Sequence, residues 1–343
     1  MMMTDRKVRW GIVGAGRIAH RFARSLAHEQ RSELVAISCR SAERARAFAD
    51  EHSVPGAGAL SDEALGDVAG AAHAALLARK DIDAIYLALP HGMHRAWAEA
   101  ALRAGKAVLC EKPACASAAE VREVISVARE TGTLFMEAMK TRFTPLYRRV
   151  RELVADGAVG ELLRVEALLE NDMGDRIARG GDYMSDPVAG GILLDSGIYC
   201  ASWIDDFLAG PFEVTAASAR WDHGIDCFVD AELALGEKTA RLATAADVAG
   251  PRTARLVGTA GEIVVEDMHR PQWAVLLAGG EGPRDIDLPY PVDDFYDEIE
   301  HFTGLILAGR TESDVMPLAA TLRCAEILDA VRDSLIALNQ RSA

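Results

Sequence analysis

Residues 8–19 read VRWGIVGAGRIA: an apolar run, two glycines, then the first turn of a helical pattern. The run is short and β-rich, and RIAHRFARSLAHE (17–29) places its apolar residues at helical spacing. Gly14 to Ala19 is therefore a G-x-G-x-x-A turn from strand to helix, the setting in which this motif holds a dinucleotide. Gly14 permits the tight turn, Gly16 lets the backbone approach a pyrophosphate, and Ala19 is small enough for helix and strand to touch. Free N–H groups at the helix start favour an anion, so Gly14, Gly16, Arg17 and Ile18 are assigned to the cofactor. A ligand-free glycine turn is the plainer reading, and the strand–turn–helix context argues against it.

The strand-then-helix rhythm continues through ELVAISCR (33–40), SAERARAFADEH (41–52), DIDAIYLALP (81–90), HRAWAEAALRAG (94–105) and KAVLCEKP (106–113). Such alternation builds a parallel sheet wound with helices. The Gly/Ala-rich stretch Pro55–Gly70 reads as a loop insertion of unassigned role. Beyond TLFMEAM (133–139) long alternating runs take over: ELLRVEALLE, EVTAASARW, DAELALGE, TARLATAAD, TARLVGTAGEIVVED and QWAVLLAG. They predict antiparallel strands with one wet face, interrupted by one helical element after Gly190–Gly191. Amphipathic patterns at Asp293–Ala308 and Pro317–Leu338 close the chain. The expected fold is α/β: a dinucleotide-binding domain over 5–138, then an α+β domain with a large, mostly antiparallel open sheet over 139–343.

Composition narrows the function. At 343 residues and 50% hydrophobic, the chain sustains two cores. A net charge of −15 argues against nucleic acid or an anionic membrane as the main partner. No run is apolar and long enough to span a bilayer, and MMMTDRKVRW lacks the apolar centre of an export signal. Six cysteines without C-x-x-C spacing fit reduced, buried thiols in a cytoplasmic protein. The nine histidines form no metal-ligand spacing, so no metal is expected. Runs such as ELALGE and TARLATAAD carry apolar residues on both faces. A face left apolar packs on something, which points to a homodimer or homotetramer.

The end of the second strand bears on the choice of dinucleotide. NAD-preferring sites place an acid there to hold the ribose 2′-hydroxyl. Here Ser38, Cys39, Arg40 and Ser41 follow instead, and a guanidinium with two hydroxyls suits a 2′-phosphate. NADP is the expected cofactor, with NAD possible, and Ser38, Arg40 and Ser41 are assigned to it.

Three motifs in order, G-x-G-x-x-A, then ALPHGMHRAWAEAALRAGKAVLCEKP (88–113), then AGGILLDSGIY (189–199), resemble the glucose–fructose oxidoreductase and inositol dehydrogenase family, written Gfo/Idh/MocA. Within it, Tyr199 in a D-x-x-x-Y pattern resembles the branch of trans-dihydrodiol dehydrogenases and NADP-dependent xylose dehydrogenases. The resemblance implies a Rossmann domain, a Lys112 beside nicotinamide and substrate hydroxyl, and a cis bond from Lys112 to Pro113. It also implies that Pro90, His94, Glu111 and Arg142 lie on the cofactor side, with Glu111 ranked below Lys112 as a structural or cofactor-side group. The polar stretch from Glu170 to Asp186 is expected to rim the pocket. Lys140 and Ala107 depart from residues frequent in relatives, and the first departure bears on the shape and charge of that pocket.

Asp195 and Tyr199 stand four apart, a spacing that puts two helical side chains on one face. Tyrosine, with a pKa of about 10, is a poor base alone; a lysine cation nearby favours the phenolate. The resemblance thus implies Tyr199 as proton donor and acceptor, Lys112 as its partner and Asp195 as a hydroxyl acceptor. Hydride transfer to or from a secondary alcohol, hemiacetal or ketone of a sugar or polyol follows. A trans-dihydrodiol substrate and a non-catalytic NADP-binding sensor are the alternatives; the Lys112 and Tyr199 pair speaks against the sensor.

Overall fold

The glycine turn sits at the centre of a six-stranded parallel sheet. The computed structural model describes residues 6–208, 210–280 and 282–342; the first five residues, where the export-signal reading starts and the first domain was expected to begin, lie outside them. The chain forms two units. The first holds the chain through Ala114, Glu120–Lys140 and Pro291–Leu318; the second holds Cys115–Ala119, Thr141–Tyr290 and the chain from Ala319 on. No described helix is long and apolar enough to cross a membrane.

In the first unit, β1 (Val8–Val13), α1 (Arg17–Leu26), β2 (Ser32–Cys39), α2 (Ala42–Glu51), β3 (Ala59–Ser61), α3 (Ala71–Leu77), β4 (Ala84–Leu87), α4 (His94–Arg103), β5 (Ala107–Glu111), α5 (Ala118–Thr131, whose first two residues belong to the second unit) and β6 (Phe135–Ala138) alternate. The strand order is β3-β2-β1-β4-β5-β6. It reverses between β1 and β4, where sheets of this type bind ligands outside the carboxyl ends of their strands. The Pro55–Gly70 stretch is not a loop insertion. Its Ala59–Ser61 is the edge strand, paired with Ile37–Cys39, and the three residues Ala, Leu and Ser give no β signal of their own.

The second unit contains α6 (Pro145–Ala155), β7 (Leu162–Glu170), α7 (Gly174–Arg179), α8 (Ile198–Phe207) and seven further strands. These are β8 (Glu213–Asp222), β9 (Ile225–Leu235), β10 (Lys238–Ala245), β11 (Ala254–Gly258), β12 (Gly261–Val265), β13 (Trp273–Ala278) and β14 (Arg284–Asp287). The sheet runs β14-β13-β12-β11-β7-β10-β9-β8, antiparallel except for the parallel pair β10 and β7. TARLVGTAGEIVVED, read as one run, is two paired strands. The outward face is not apolar. Arg164 pairs with Glu166 and Glu232, Arg241 with Asp230, and Arg255 with Glu166 and Glu262. This grid of ion pairs removes the argument for oligomers that rested on an apolar face.

Helix α9 (Tyr296–Leu307) precedes α10 (Leu318–Ser342). Expected in the C-terminal domain, it packs in the first unit. Phe302 lies 5.4 Å from Trp10 of β1, and the Ser25 hydroxyl donates to Asp293 at 2.8 Å. Lys140 pairs with Asp294 in the same interior, so its departure from relatives changes a buried ion pair of this unit. All six cysteines are buried thiols outside any disulfide.

Glu298 of α9 is 1% exposed, and neither carboxyl oxygen has a hydrogen-bond partner. Burial, and then the nearby Glu111 carboxylate, push its pKa well above the usual range. A carboxyl held protonated in the folded chain but not in the unfolded one stabilises the fold at low pH; that contribution is lost as pH rises from about 4.5 through the folded pKa. Glu298→Gln keeps the shape without the charge. Its stability relative to wild type should rise steadily above that pH, as read by chemical denaturation across a pH series. A difference that is flat with pH would show that Glu298 is not held neutral.

Candidate active site

Gly14 follows β1 directly, with φ at +100°, and its N–H donates to the Ser38 carbonyl at 2.8 Å. A side chain here would place Cβ 2.3 Å from the Ala88 carbonyl oxygen, just past β4. This glycine is required by the fold. Gly16 is different: it has ordinary extended backbone, and a Cβ would meet nothing within 4 Å. No neighbour in the chain demands a glycine there, whereas the close approach of a phosphate does. No side chain caps α1 and no acid stands in its first turn, so the N–H groups near Arg17 and Ile18 suit the same anion. The residues present therefore fit a dinucleotide.

At the end of β2 the three assigned residues part company. Ser38 is buried, and its hydroxyl is 2.8 Å from Nδ1 of His73, so its assignment to the cofactor is corrected to a structural one. Ser41 caps α2 by accepting from the Arg44 N–H. Arg40 is exposed, and its side chain has no hydrogen bond or ion pair among the described residues. Arg44, missed in the sequence, donates to the Ala15 carbonyl at 2.6 Å and ties α2 to the glycine turn.

The strand β5 is buried throughout, and Lys112 is the first half-exposed residue after it. The Lys112–Pro113 bond is cis. Glu111 accepts from the Tyr86 hydroxyl and from the Lys112 N–H at 3.2 Å, while burial pushes its carboxyl up. Pro90 is exposed after β4. His94 is fully buried, with Nδ1 2.9 Å from the Pro113 carbonyl and Nε2 2.8 Å from that of Leu89. Burial lowers its pKa, and a neutral ring donates to one of them. Its assigned contact with the cofactor is corrected: His94 holds together the loops that carry Pro90 and Lys112.

The second unit builds its own cluster on Gly190 and Gly191. A Cβ on Gly190 would lie 2.3 Å from the Met184 carbonyl, and one on Gly191, at φ +83°, would lie 2.0 Å from Asp226 Oδ1. The close approach lets Asp226 Oδ2 accept from the Leu193 N–H at 2.6 Å; burial raises that carboxyl to about 6. Leu193–Gly197 then forms a π-turn carrying Asp195, a wide turn often found at functional sites. The Tyr183 hydroxyl donates to Asp195 at 2.9 Å. Tyr199 opens α8 and meets the His269 ring edge to face at 5.7 Å. Trp203, one turn on, donates to the Met268 carbonyl at 3.1 Å and so fixes the loop that presents His269. Asp195 and Tyr199 keep 8% and 7% of their surface exposed. Neither Tyr183 nor His269 was singled out in the sequence, where only the polar rim stretch hinted at the first.

Arg142 does not join this cluster. It is 1% exposed and donates to the Ser202 hydroxyl and carbonyl and to Asp205 at 2.8, 2.9 and 3.0 Å. Its cofactor assignment is corrected to a core ion pair.

A dinucleotide turn at the switch point of a parallel sheet, in a chain that also carries Lys112, Asp195 and Tyr199, has the parts of an NAD(P)-binding oxidoreductase. Family models agree: residues 8–139 match an oxidoreductase family with an NAD-binding Rossmann fold, and residues 147–264 match the GFO/IDH/MocA C-terminal domain. The chain belongs to the Gfo/Idh/MocA oxidoreductase family. It is 33% identical to trans-1,2-dihydrobenzene-1,2-diol dehydrogenase of Bos taurus and 32% identical to that of Homo sapiens, each over 96% of this chain and 97% of the relative. A 3-ketoreductase from Actinomadura kijaniata, solved with NADP and TDP-benzene, has a TM-score of 0.83 at 28% identity, covering 96% of this chain and 98% of that one.

The two glycines should separate under mutation. Gly14→Ala meets a backbone oxygen at unfavourable φ and should destabilise by roughly 1–3 kcal/mol or more. Gly16→Ala should melt like wild type yet bind NADPH at least tenfold more weakly by calorimetry. Unchanged NADPH affinity in Gly16→Ala would remove the pyrophosphate from this turn.

Proposed function

We propose that the chain oxidises a secondary alcohol that bears a neighbouring hydroxyl, or reduces the matching ketone, with NADP preferred over NAD. The reading rests on one observation above others: Asp195 and Tyr199, a carboxylate and a phenol on adjoining turns, stay slightly open in an otherwise buried stretch of helix. When bound, the nicotinamide supplies the hydride acceptor. Tyr199 takes the hydroxyl proton, and Lys112 lowers the cost of the phenolate. Asp195, with one oxygen held by Tyr183, accepts from a neighbouring hydroxyl. Sugars, polyols and dihydrodiols all carry that pair of groups. The level of identity to dihydrodiol dehydrogenases over 96% of the chain favours a trans-dihydrodiol as the second reading.

Arg40 is the group proposed to meet the 2′-phosphate. A charge-assisted contact contributes about 1.5–3 kcal/mol, so Arg40→Asp should cost NADPH roughly tenfold or more in affinity and leave NADH little changed. Equal loss for both would assign Arg40 another role.

Tyr199→Phe keeps the ring and removes the acid–base group. Turnover should fall by about 10²–10⁴ with NADPH affinity preserved, and the pH profile of oxidation should lose an ionisation. Lys112→Met should cost at least as much, and the double variant little more than the worse single one, because coupled residues do not add. Tyr199→Phe with turnover and profile intact would demote the phenol to packing.

A further inference from the structure

Outside the cluster just described, the first unit gathers His20, Glu51 and His52, whose ligand atoms lie within 4.8 Å of one another. His20 stands in the first turns of α1; Glu51 ends α2 and His52 follows it. Nδ1 of His20 is 2.9 Å from Nε2 of His52 and 3.1 Å from a Glu51 oxygen, and the other Glu51 oxygen is 3.6 Å from His52. Bonds of about 2.0–2.1 Å to a single ion put ligand atoms roughly 2.9 Å apart at a right angle and about 3.4 Å apart at a tetrahedral angle. The His20–His52 and His20–Glu51 separations match such edges, and the third pair of ligand atoms lies within 4.8 Å.

We propose that His20, Glu51 and His52 bind a divalent transition-metal ion of the zinc type, with solvent completing the coordination. Two imidazoles and one carboxylate are a donor set such ions favour. The rings are held in advance: Phe48, fully buried, lies 4.5 Å from both His20 and His52. Arg24 donates to one Glu51 oxygen at 2.8 Å, fixing the carboxylate with its other oxygen toward His20, the orienting contact that ligands commonly receive. Spacing along the chain hides the site, because His20 and His52 lie 32 residues apart. An ion here clamps α1 to α2, whose Arg44 already holds the glycine turn.

The test uses the untagged full chain, stripped with chelator and titrated with zinc chloride by calorimetry, with bound metal counted after gel filtration. One equivalent of zinc and a rise in melting temperature are expected. His52→Ala and Glu51→Gln should each weaken binding at least tenfold while melting normally without metal, and His223→Ala, at an exposed histidine of the other unit, should bind like wild type. No bound zinc, or binding equal in wild type, His52→Ala and Glu51→Gln, would overturn the assignment.

Discussion

The Ala88 carbonyl leaves no room for a side chain at residue 14, and the first unit is organised around that constraint. Only glycine allows β1 to turn beneath the end of β4, take the Ser38 carbonyl with its N–H, and start α1 three residues later. The turn sits where the sheet order reverses, and no side chain caps α1, so the N–H groups at its start suit an anion. Other strand ends of this sheet lead into the loops that carry the residues proposed for the cofactor. β2 delivers Arg40, β4 delivers Pro90, and β5 delivers Lys112, with His94 bridging the last two loops.

The second unit repeats the device with Gly190 and Gly191. Their bare backbones let Asp226 hold the Leu193 N–H, and the π-turn that follows brings Asp195 to Tyr183 and starts the helix bearing Tyr199 and Trp203. In both units glycines govern placement, and the side chains proposed to react follow from them. The proposed roles of Lys112, Asp195 and Tyr199 in moving a proton with a hydride rest on the chemistry of a lysine, a carboxylate and a phenol; a sensor has no comparable use for them.

Legibility in the sequence followed locality. Gly14, Gly16, Lys112, Asp195 and Tyr199 lie in short motifs whose geometry is set by neighbours in the chain, and both sheets were readable from strand–helix alternation and long alternating runs. Ser38 was misread because His73, 35 residues on, decides where its hydroxyl points. Arg142 was misread for a similar reason, since Ser202 and Asp205 claim it from α8. His269 carries no local signal at all; Trp203, distant in sequence, sets its position. β3 was missed because pairing with β2, not propensity, makes Ala59–Ser61 a strand.

At stake is catalysis of hydride transfer, as against binding of a dinucleotide alone. The most direct measurement mixes the purified chain with NADP and a panel of trans-dihydrodiols, aldoses, inositols and ketoses, following absorbance at 340 nm, with NAD run in parallel. The account predicts substrate-dependent formation of NADPH, or its consumption with a ketone, faster than the NAD reaction. Tight NADPH binding with no absorbance change across the panel, in either direction, would contradict it.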